Sequence, residues 1–312
     1  MPFAAGLKDR APWRDPCSST GMELEPAQAD GAFDVARAYY AQRGAVSADR
    51  LQLDRLIEAV AFTNDLTPYQ WAQWYTTALA FQPDLILELG RGRGNSTALF
   101  CQAVNRLGHG VVVSLCASED WELETRPRLA RVVPPEWFAR VHALRGNILE
   151  IEYGELLAAA HRVLVLWDAH GFEIAEVVLG RILPQLVGKA HLVLMHDISD
   201  NRYAGVSRAY DGAPLWKGQG WQARSGEARS RVNIGWMNSA VDQVIAIADF
   251  CARNRIELGS ADHAYHTFFG ENPERAEEMQ ALLGDRFFSR LAHWAYLSLN
   301  ERRGPFTFPG QG

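Results

Sequence analysis

The sequence predicts an α/β fold, in which helices pack on both faces of a doubly wound, mostly parallel sheet. Two observations predict it. Short apolar runs, as in DLILEL, GVVVSLC, RVHALRG, HRVLVLWD and HLVLMHD, alternate with helical stretches such as STALFCQAVNRLG and IAEVVLGRILPQL, and this alternation is typical of βαβ units. Most of these runs are apolar at successive positions rather than at every second one, which indicates strands buried on both faces.

Composition and charge narrow the class of protein. The 312 residues are 48% hydrophobic and 22% charged, as in a globular protein and unlike a disordered one. With 31 basic and 37 acidic residues the net charge is −6, and no basic run offers a surface for nucleic acid. We therefore expect a small-molecule partner and no nucleic-acid partner, and the sequence leaves a homo-oligomer open.

The sequence also predicts where the protein resides. No stretch approaches the ~18 apolar residues that a membrane helix needs, and the first residues lack the apolar core of a signal peptide. The four cysteines are scattered without a C-x-x-C pair, which argues against a disulfide framework and a zinc ribbon. The expectation is a cytoplasmic protein without a membrane partner.

The N-terminal part divides into two predicted segments. Residues 1–31 hold four prolines among glycine, serine and alanine, which predicts a flexible arm. Residues 32–82 are helical in pattern, with one helix ending at Gly44 as a C-cap and the next beginning at Ser47 as an N-cap. A third helix is predicted to begin at Thr67, which is followed by proline.

Residues 83–312 are predicted to form the main domain. After the fifth strand, residues 203–231 are rich in glycine, tryptophan and serine, and a loop of that length predicts a lid. Trp216 and Trp221 in this loop either stack on a ring-bearing substrate or anchor the loop. Beyond it, the pattern predicts a late strand in HWAYLSLNER and helices at 239–255 and 273–284.

The segment PDLILELGRGRGNSTALF is the most informative part of the chain. A predicted strand carries Glu88 near its end, Gly90, Gly92 and Gly94 follow, and a helix begins around Ser96. Glycines let a backbone turn sharply and approach a bound cofactor closely. The spacing E-x-G-x-G-x-G differs from the G-x-G-x-x-G that binds a dinucleotide, which disfavours an NAD(P)-dependent oxidoreductase and leaves it as an alternative.

Together with VLVLWDAHG and LVLMHDI in the same order, this loop gives residues 83–200 a family resemblance. The segment resembles the class I S-adenosylmethionine-dependent methyltransferases, in particular small-molecule O-methyltransferases of the cephalosporin-hydroxylase-like and macrolide-sugar groups. The resemblance implies a Rossmann-like seven-strand sheet with an antiparallel last strand. It also implies methyl transfer from S-adenosylmethionine to a hydroxyl of a sugar or natural product. A protein of this fold that binds without catalysis is a second alternative.

The resemblance also implies contacts with the cofactor. Its methionine part would be surrounded by Glu88, Gly90, Gly92, Gly94 and Ser96. Residues 90–94 are here called the glycine loop. The second strand ends at a cysteine where the family has a ribose-binding acid, so Glu119 or Asp120 would serve. Asn147 would lie near the adenine, where its amide can hydrogen-bond the base. Arg91 and Arg93 either face the carboxylate of the cofactor or point to solvent, and solvent is the expectation.

Polar residues follow the fourth and fifth predicted strands: Asp168, His170, His196 and Asp197. The carboxyl ends of parallel strands line the ligand crevice, so we expect a cluster beside the cofactor, with Asp168 as one of its contacts. His170 and His196 are candidate catalytic bases. Alternatively, Asp168, His196 and Asp197 bind a divalent metal, Mg²⁺ or a transition metal, that lowers the pKa of a bound hydroxyl.

Overall fold

The computed structural model describes residues 33–62, 65–196, 235–300 and 305–309. The strands among them form one seven-stranded sheet. The predicted arm at 1–31, the predicted lid at 203–231 with its two tryptophans, and Asp197 lie outside the described residues. The strands are β1 (Leu85–Leu89), β2 (Val111–Cys116), β3 (Val141–Arg145), β4 (Arg162–Trp167), β5 (Ala190–His196), β6 (Gly259–Ser260) and β7 (Trp294–Leu297).

The strand order is β3-β2-β1-β4-β5-β7-β6. Strands β1 to β5 are parallel to one another, whereas β7 runs antiparallel to both β5 and β6. The predicted fold class, a mostly parallel doubly wound sheet with an antiparallel last strand, is therefore confirmed. Because β1 lies between β2 and β4, its end is at the centre of the carboxyl edge of the sheet.

Helices cover both faces of the sheet. The α-helices are α1 (Val35–Ala41), α2 (Arg43–Ala48), α3 (Arg50–Val60), α4 (Pro68–Phe81), α5 (Asn95–Leu107), α6 (Arg126–Leu129), α7 (Gly154–Ala158), α8 (Phe172–Val177), α9 (Leu183–Leu186), α10 (Gly235–Asn254), α11 (Ala261–Glu271) and α12 (Pro273–Phe287). Shorter π-helical turns span Trp121–Thr125 and Val178–Ile182, and 3₁₀ turns span Pro135–Arg140 and Ile148–Glu150. In the described part of the chain, each helix is too short or too polar to span a lipid bilayer.

Two apolar layers enclose the sheet. Along β1, Ile86 belongs to one layer while Leu85 and Leu87 belong to the other, because successive side chains of a strand point to opposite faces. The layer that contains Ile86 includes the N-terminal helices, with Trp71 and Trp74 of α4 fully or almost fully buried. The helical segment thus packs on the same sheet as the rest of the chain.

The helix boundaries correct two expectations near the N-terminus. Gly44 and Ser47 both lie inside α2, so neither caps a helix end. The caps fall elsewhere because Asp34 accepts the backbone N–H groups that open α1, while Asp49, which precedes α3, accepts hydrogen bonds from Tyr75 and Arg106 instead of capping.

Other predicted elements agree with the structure. Thr67 caps α4 in a capping box with Gln70, as its sequence predicts. The late strand is β7. The two predicted C-terminal helices correspond to α10 and α12, and the helix α11 between them is not among the predicted elements.

Two glycines before β2 provide a matched test of the fold. Gly108 and Gly110 both have positive φ, at 75° and 77°, but only a Cβ at Gly110 would collide, lying 2.3 Å from the carbonyl oxygen of Pro83. Gly110→Ala should therefore lower the free energy of unfolding by about 1–3 kcal/mol more than Gly108→Ala. Urea denaturation measures both, and equal losses would contradict this close approach.

Candidate active site at the carboxyl edge of the sheet

The glycine loop leaves β1 at the centre of the carboxyl edge. Gly90, Gly92 and Gly94 have φ angles of 96°, 50° and 89°, a region that side-chain-bearing residues rarely adopt. A Cβ at Gly90 would lie 2.6 Å from the backbone nitrogen of Ala169, and one at Gly94 would lie 2.5 Å from the ring of Trp121. Among the described residues, no atom lies within 4 Å of a Cβ at Gly92. The middle glycine therefore faces open space.

Glu88 ties the strand to the helix that follows the loop. Its carboxylate is completely buried and accepts hydrogen bonds from the hydroxyls of Ser96 and Thr97 in the first turn of α5, the latter at 2.6 Å. Burial raises the pKa of Glu88, and hydrogen bonds from Ser114, Ser96 and Thr97 oppose that rise. Glu88 and Ser96, both predicted cofactor contacts, thus bond to each other.

Arg91 does not point to solvent, so that expectation is wrong. Its side chain is buried, and Nη1 donates to the carbonyl oxygen of Ser114 at 2.8 Å, while Nη2 lies 3.5 Å from Glu122. The reason is that the glycine loop turns the guanidinium toward β2, where the carbonyl of Ser114 accepts its hydrogen bond. Arg93 is part-exposed and pairs with Glu124 at 3.7 Å.

The residues expected beside the ribose and adenine follow β2 and β3. Glu119 forms an ion pair with Arg145 at the end of β3, and the backbone N–H of Asp120 donates to Ser118. Asn147 caps the turn after β3, because its Oδ1 accepts from the backbone of Leu149 at 3.1 Å. Which of these residues contacts a cofactor stays a prediction.

The ends of β4 and β5 bring Asp168 and His196 together, as expected of neighbouring parallel strands. His196 Nδ1 lies 3.2 Å from Asp168 Oδ1, and the histidine is buried whereas the aspartate is half-buried. The edge of the His196 ring packs against Trp74, with ring centroids 5.4 Å apart. His170 lies two residues beyond Asp168, in the half-buried turn before α8.

Asp65 joins this pair, although nothing in its local sequence indicates a site. One ligand atom from each of Asp65, Asp168 and His196 lies within 4.8 Å of the others. Asn95, directly after the glycine loop, donates to Asp65 at 3.1 Å and to the carbonyl of Phe62 at 2.8 Å. The chain before α4 is thereby held over the sheet edge. We call Asp65, Asp168 and His196 the edge cluster.

Comparisons with known proteins were made at the level of sequence and structure. No family model matches the sequence, and no curated protein matches it either. Solved structures do match. One is the SAH-bound methyltransferase PaMTH1 of Podospora anserina, at 17% identity, covering 66% of this chain and 82% of that chain, with a TM-score of 0.42.

Two further solved structures are O-methyltransferases. TomG of Streptomyces achromogenes, involved in tomaymycin synthesis and solved with SAM, is 13% identical and covers 65% of this chain and 80% of its own, with a TM-score of 0.40. An O-methyltransferase of Bacillus cereus in complex with SAH is 16% identical. The match covers 72% of this chain and 90% of that chain, with a TM-score of 0.39.

The burial of Glu88 predicts a pH dependence of stability. Because its pKa is raised above the ordinary value of 4.5, the folded state holds the proton more tightly than the unfolded chain does. Stability from this group is fully present below the unfolded pKa and is lost as pH rises through the raised one. The free energy of unfolding of the wild type should therefore fall relative to Glu88→Gln over that range, by at most about 1.4 kcal/mol per pH unit.

The matched control is Glu152→Gln, which removes the same charge from an exposed side chain. Denaturant unfolding from acid to neutral pH measures the free energy of unfolding of the wild type, Glu88→Gln and Glu152→Gln. A constant difference between the wild type and Glu88→Gln would show that Glu88 has the same pKa in both states.

Proposed function

We propose that this chain is a methyltransferase that moves a methyl group from S-adenosylmethionine to a hydroxyl of a small molecule, such as a sugar or a natural product. The open space over Gly92 is the observation that carries the proposal. Gly90 and Gly94 are glycine because the protein itself leaves no room for a Cβ, whereas at Gly92 no part of the described protein fills that space. Its positive φ already favours glycine, and the space over it supports the proposal because it leaves room for a bound cofactor to approach the backbone.

The position of Glu88 favours this cofactor over a dinucleotide. In a dinucleotide site the pyrophosphate binds at the N-terminus of the helix that follows the loop. Here the carboxylate of Glu88 accepts hydrogen bonds from Ser96 and Thr97 in that first helical turn. The two hydroxyls that could bind a phosphate are therefore engaged by a buried acid, whereas S-adenosylmethionine brings a cationic sulfonium and no phosphate.

The edge cluster and His170 would serve the transfer itself. When bound, the cofactor supplies an electrophilic methyl group, and the chain must orient the acceptor hydroxyl and take up its proton. Asp168 lies against the glycine loop, since its backbone carbonyl would be 2.8 Å from a Cβ at Gly90. This proximity supports the proposal that its carboxylate contacts both cofactor and acceptor.

Two roles remain for the edge cluster, and each follows from its donor set. Carboxylates and an imidazole can take up a proton, or they can bind a divalent cation that orients the acceptor hydroxyl. The proximity of Asp65 and Asp168 favours a cation, because two carboxylates this close repel each other. We therefore propose a divalent metal, for which oxygen ligands suit Mg²⁺ or Mn²⁺.

Charge and cysteine chemistry support the remaining assignments. With a net charge of −6, we propose a small-molecule acceptor and no nucleic-acid partner. Cys101, Cys116 and Cys251 are free thiols, which is consistent with a cytoplasmic location.

Calorimetry with S-adenosylhomocysteine and with NAD tests the cofactor. We expect S-adenosylhomocysteine to bind and NAD not to bind. Gly92→Val should weaken binding at least tenfold, about 1.4 kcal/mol, because the side chain enters the open space over the loop. The matched control is Gly188→Val, since Gly188 also has positive φ and nothing within 4 Å but lies at the opposite edge of the sheet, before β5.

Binding of NAD in place of S-adenosylhomocysteine would identify an oxidoreductase. Equal losses in the two valine variants would refute a cofactor over Gly92. Binding without methyl transfer to any hydroxyl compound in a panel of sugars and phenols would favour the non-catalytic alternative.

Manganese tests the edge cluster. Because Mn²⁺ loses its sharp spin-resonance signal on binding, titration of the protein measures occupancy directly. Asp65→Asn and Asp168→Asn should each weaken binding at least tenfold, about 1.4 kcal/mol, whereas Asp285→Asn, at an exposed position of α12, should not. If Mn²⁺ stays free with the wild type and chelators leave methyl transfer unchanged, the cluster handles a proton instead.

A further inference from the structure

Gln70 has an amide whose orientation the backbone fixes. The residue is buried, its Oε1 accepts from the backbone N–H of Thr67 at 2.9 Å, and its Nε2 donates to the carbonyl of Ala292 at 2.7 Å. One partner can only donate and the other can only accept, so reversing the amide would lose both hydrogen bonds. The Nε2 atom of Gln70 is therefore a hydrogen-bond donor to each neighbouring group.

The same Nε2 atom lies 3.4 Å from Nε2 of His196. A donor facing a ring nitrogen requires a lone pair on that nitrogen, so the single proton of the neutral imidazole belongs on Nδ1. The Nδ1 atom of His196 lies 3.2 Å from Asp168 Oδ1, which can accept a hydrogen bond from it. Both neighbours of the ring thus select the same tautomer.

The surroundings of His196 hold the ring in this position. It is buried at the end of β5, where it pairs with Trp294 across the sheet. The ring of Trp74 meets it edge-on at an interplanar angle of 81°. Because Trp74 and Gln70 come from the same helix, α4 fixes both the tilt of the imidazole and the state of its Nε2 atom.

We propose that Gln70 is a positioning residue for the site. It fixes His196 as the Nδ1–H tautomer, and the Nδ1–H group in turn donates a hydrogen bond to Asp168. Both ring nitrogens are then engaged, so His196 is not the catalytic base, and a metal at the edge cluster would be held by the carboxylates of Asp65 and Asp168. The group presented to the cofactor and acceptor is the carboxylate of Asp168. Only this last point rests on the proposed function.

Nitrogen chemical shifts of the histidine rings test the tautomer directly. In ¹⁵N-histidine-labelled protein at pH about 8, above the ordinary histidine pKa, Nδ1 of His196 should resonate as protonated and Nε2 as unprotonated. The signal of His196 is identified by its absence from His196→Asn. His191 is an internal standard with the same tautomer, because the backbone N–H of Leu299 donates to its Nε2 at 2.9 Å.

A variant of Asp168 isolates the contribution of Gln70. In Asp168→Asn the amide can either donate to Nδ1 or accept from it, so it selects no tautomer. The Nδ1–H form should persist in this variant because Gln70 still donates to Nε2. Adding Gln70→Met should give a mixture of tautomers. Adding Gln73→Met should not, although Gln73 is equally buried on α4 and bonds to Leu291 at 2.9 Å.

These spectra decide the proposal whatever the cofactor proves to be. A wild-type protein with the proton on Nε2 overturns it. So does Asp168→Asn alone, if that variant already shows a mixture, because Gln70 would then not select the tautomer.

The affinity for S-adenosylhomocysteine tests whether His196 acts as a hydrogen-bond donor to Asp168 or as a catalytic base or metal ligand. His196→Asn keeps an N–H for Asp168 but no ring nitrogen, whereas His196→Leu keeps neither. We expect affinity within about twofold of the wild type for the asparagine variant and at least a tenfold loss for the leucine variant. Equal losses would overturn the donor role. Absence of binding to the wild type would refute the proposed function, and the spectra would still decide the tautomer.

Discussion

The contact between the glycine loop and the exit of β4 is the constraint on which the site depends. The backbone N–H of Gly90 donates to Leu115 on β2 at 3.0 Å, and that of Asp168 donates to Leu89 on β1 at 2.9 Å. With no Cβ at Gly90, the loop lies directly against Asp168 and Ala169. This approach places the proposed cofactor loop and the edge cluster side by side. A larger residue at Gly90 would separate them.

The N-terminal helices complete the site from above the sheet. Helix α4 supplies Gln70, which reaches His196, and the chain just before it supplies Asp65, which Asn95 holds. Asn95 belongs to the helix that follows the glycine loop, so its hydrogen bonds to Phe62 and Asp65 link the proposed cofactor side of the site to the covering helices. The helical segment is therefore part of the site as well as part of the core.

Sequence patterns predict much of this arrangement because they report local structure. Continuous apolar runs identify the strands, and the parallel order then places Asp168 beside His196 at one edge. Thr67 followed by proline predicts the start of α4 for the same local reason. By contrast, Asp65 and Gln70 resemble ordinary residues of a helix start. Their roles depend on how α4 lies across the sheet, which no local pattern records.

Tertiary contacts also explain where the sequence misleads. Arg91 follows a glycine in a polar loop and looks solvated, but the turn of the loop directs it under the sheet edge to the carbonyl of Ser114. Asp49 is a favourable capping residue by type, yet its carboxylate is engaged by Tyr75 and Arg106. In each case a partner distant in sequence outcompetes the local preference.

A crystal structure of the protein grown with S-adenosylhomocysteine tests the central assignment most directly. The account predicts electron density over Gly92, with the homocysteine end of the ligand beside the glycine loop, its sulfur facing Asp168 and its adenine toward Asn147. Density for the ligand elsewhere, or none over Gly92 at saturating ligand, would contradict the account.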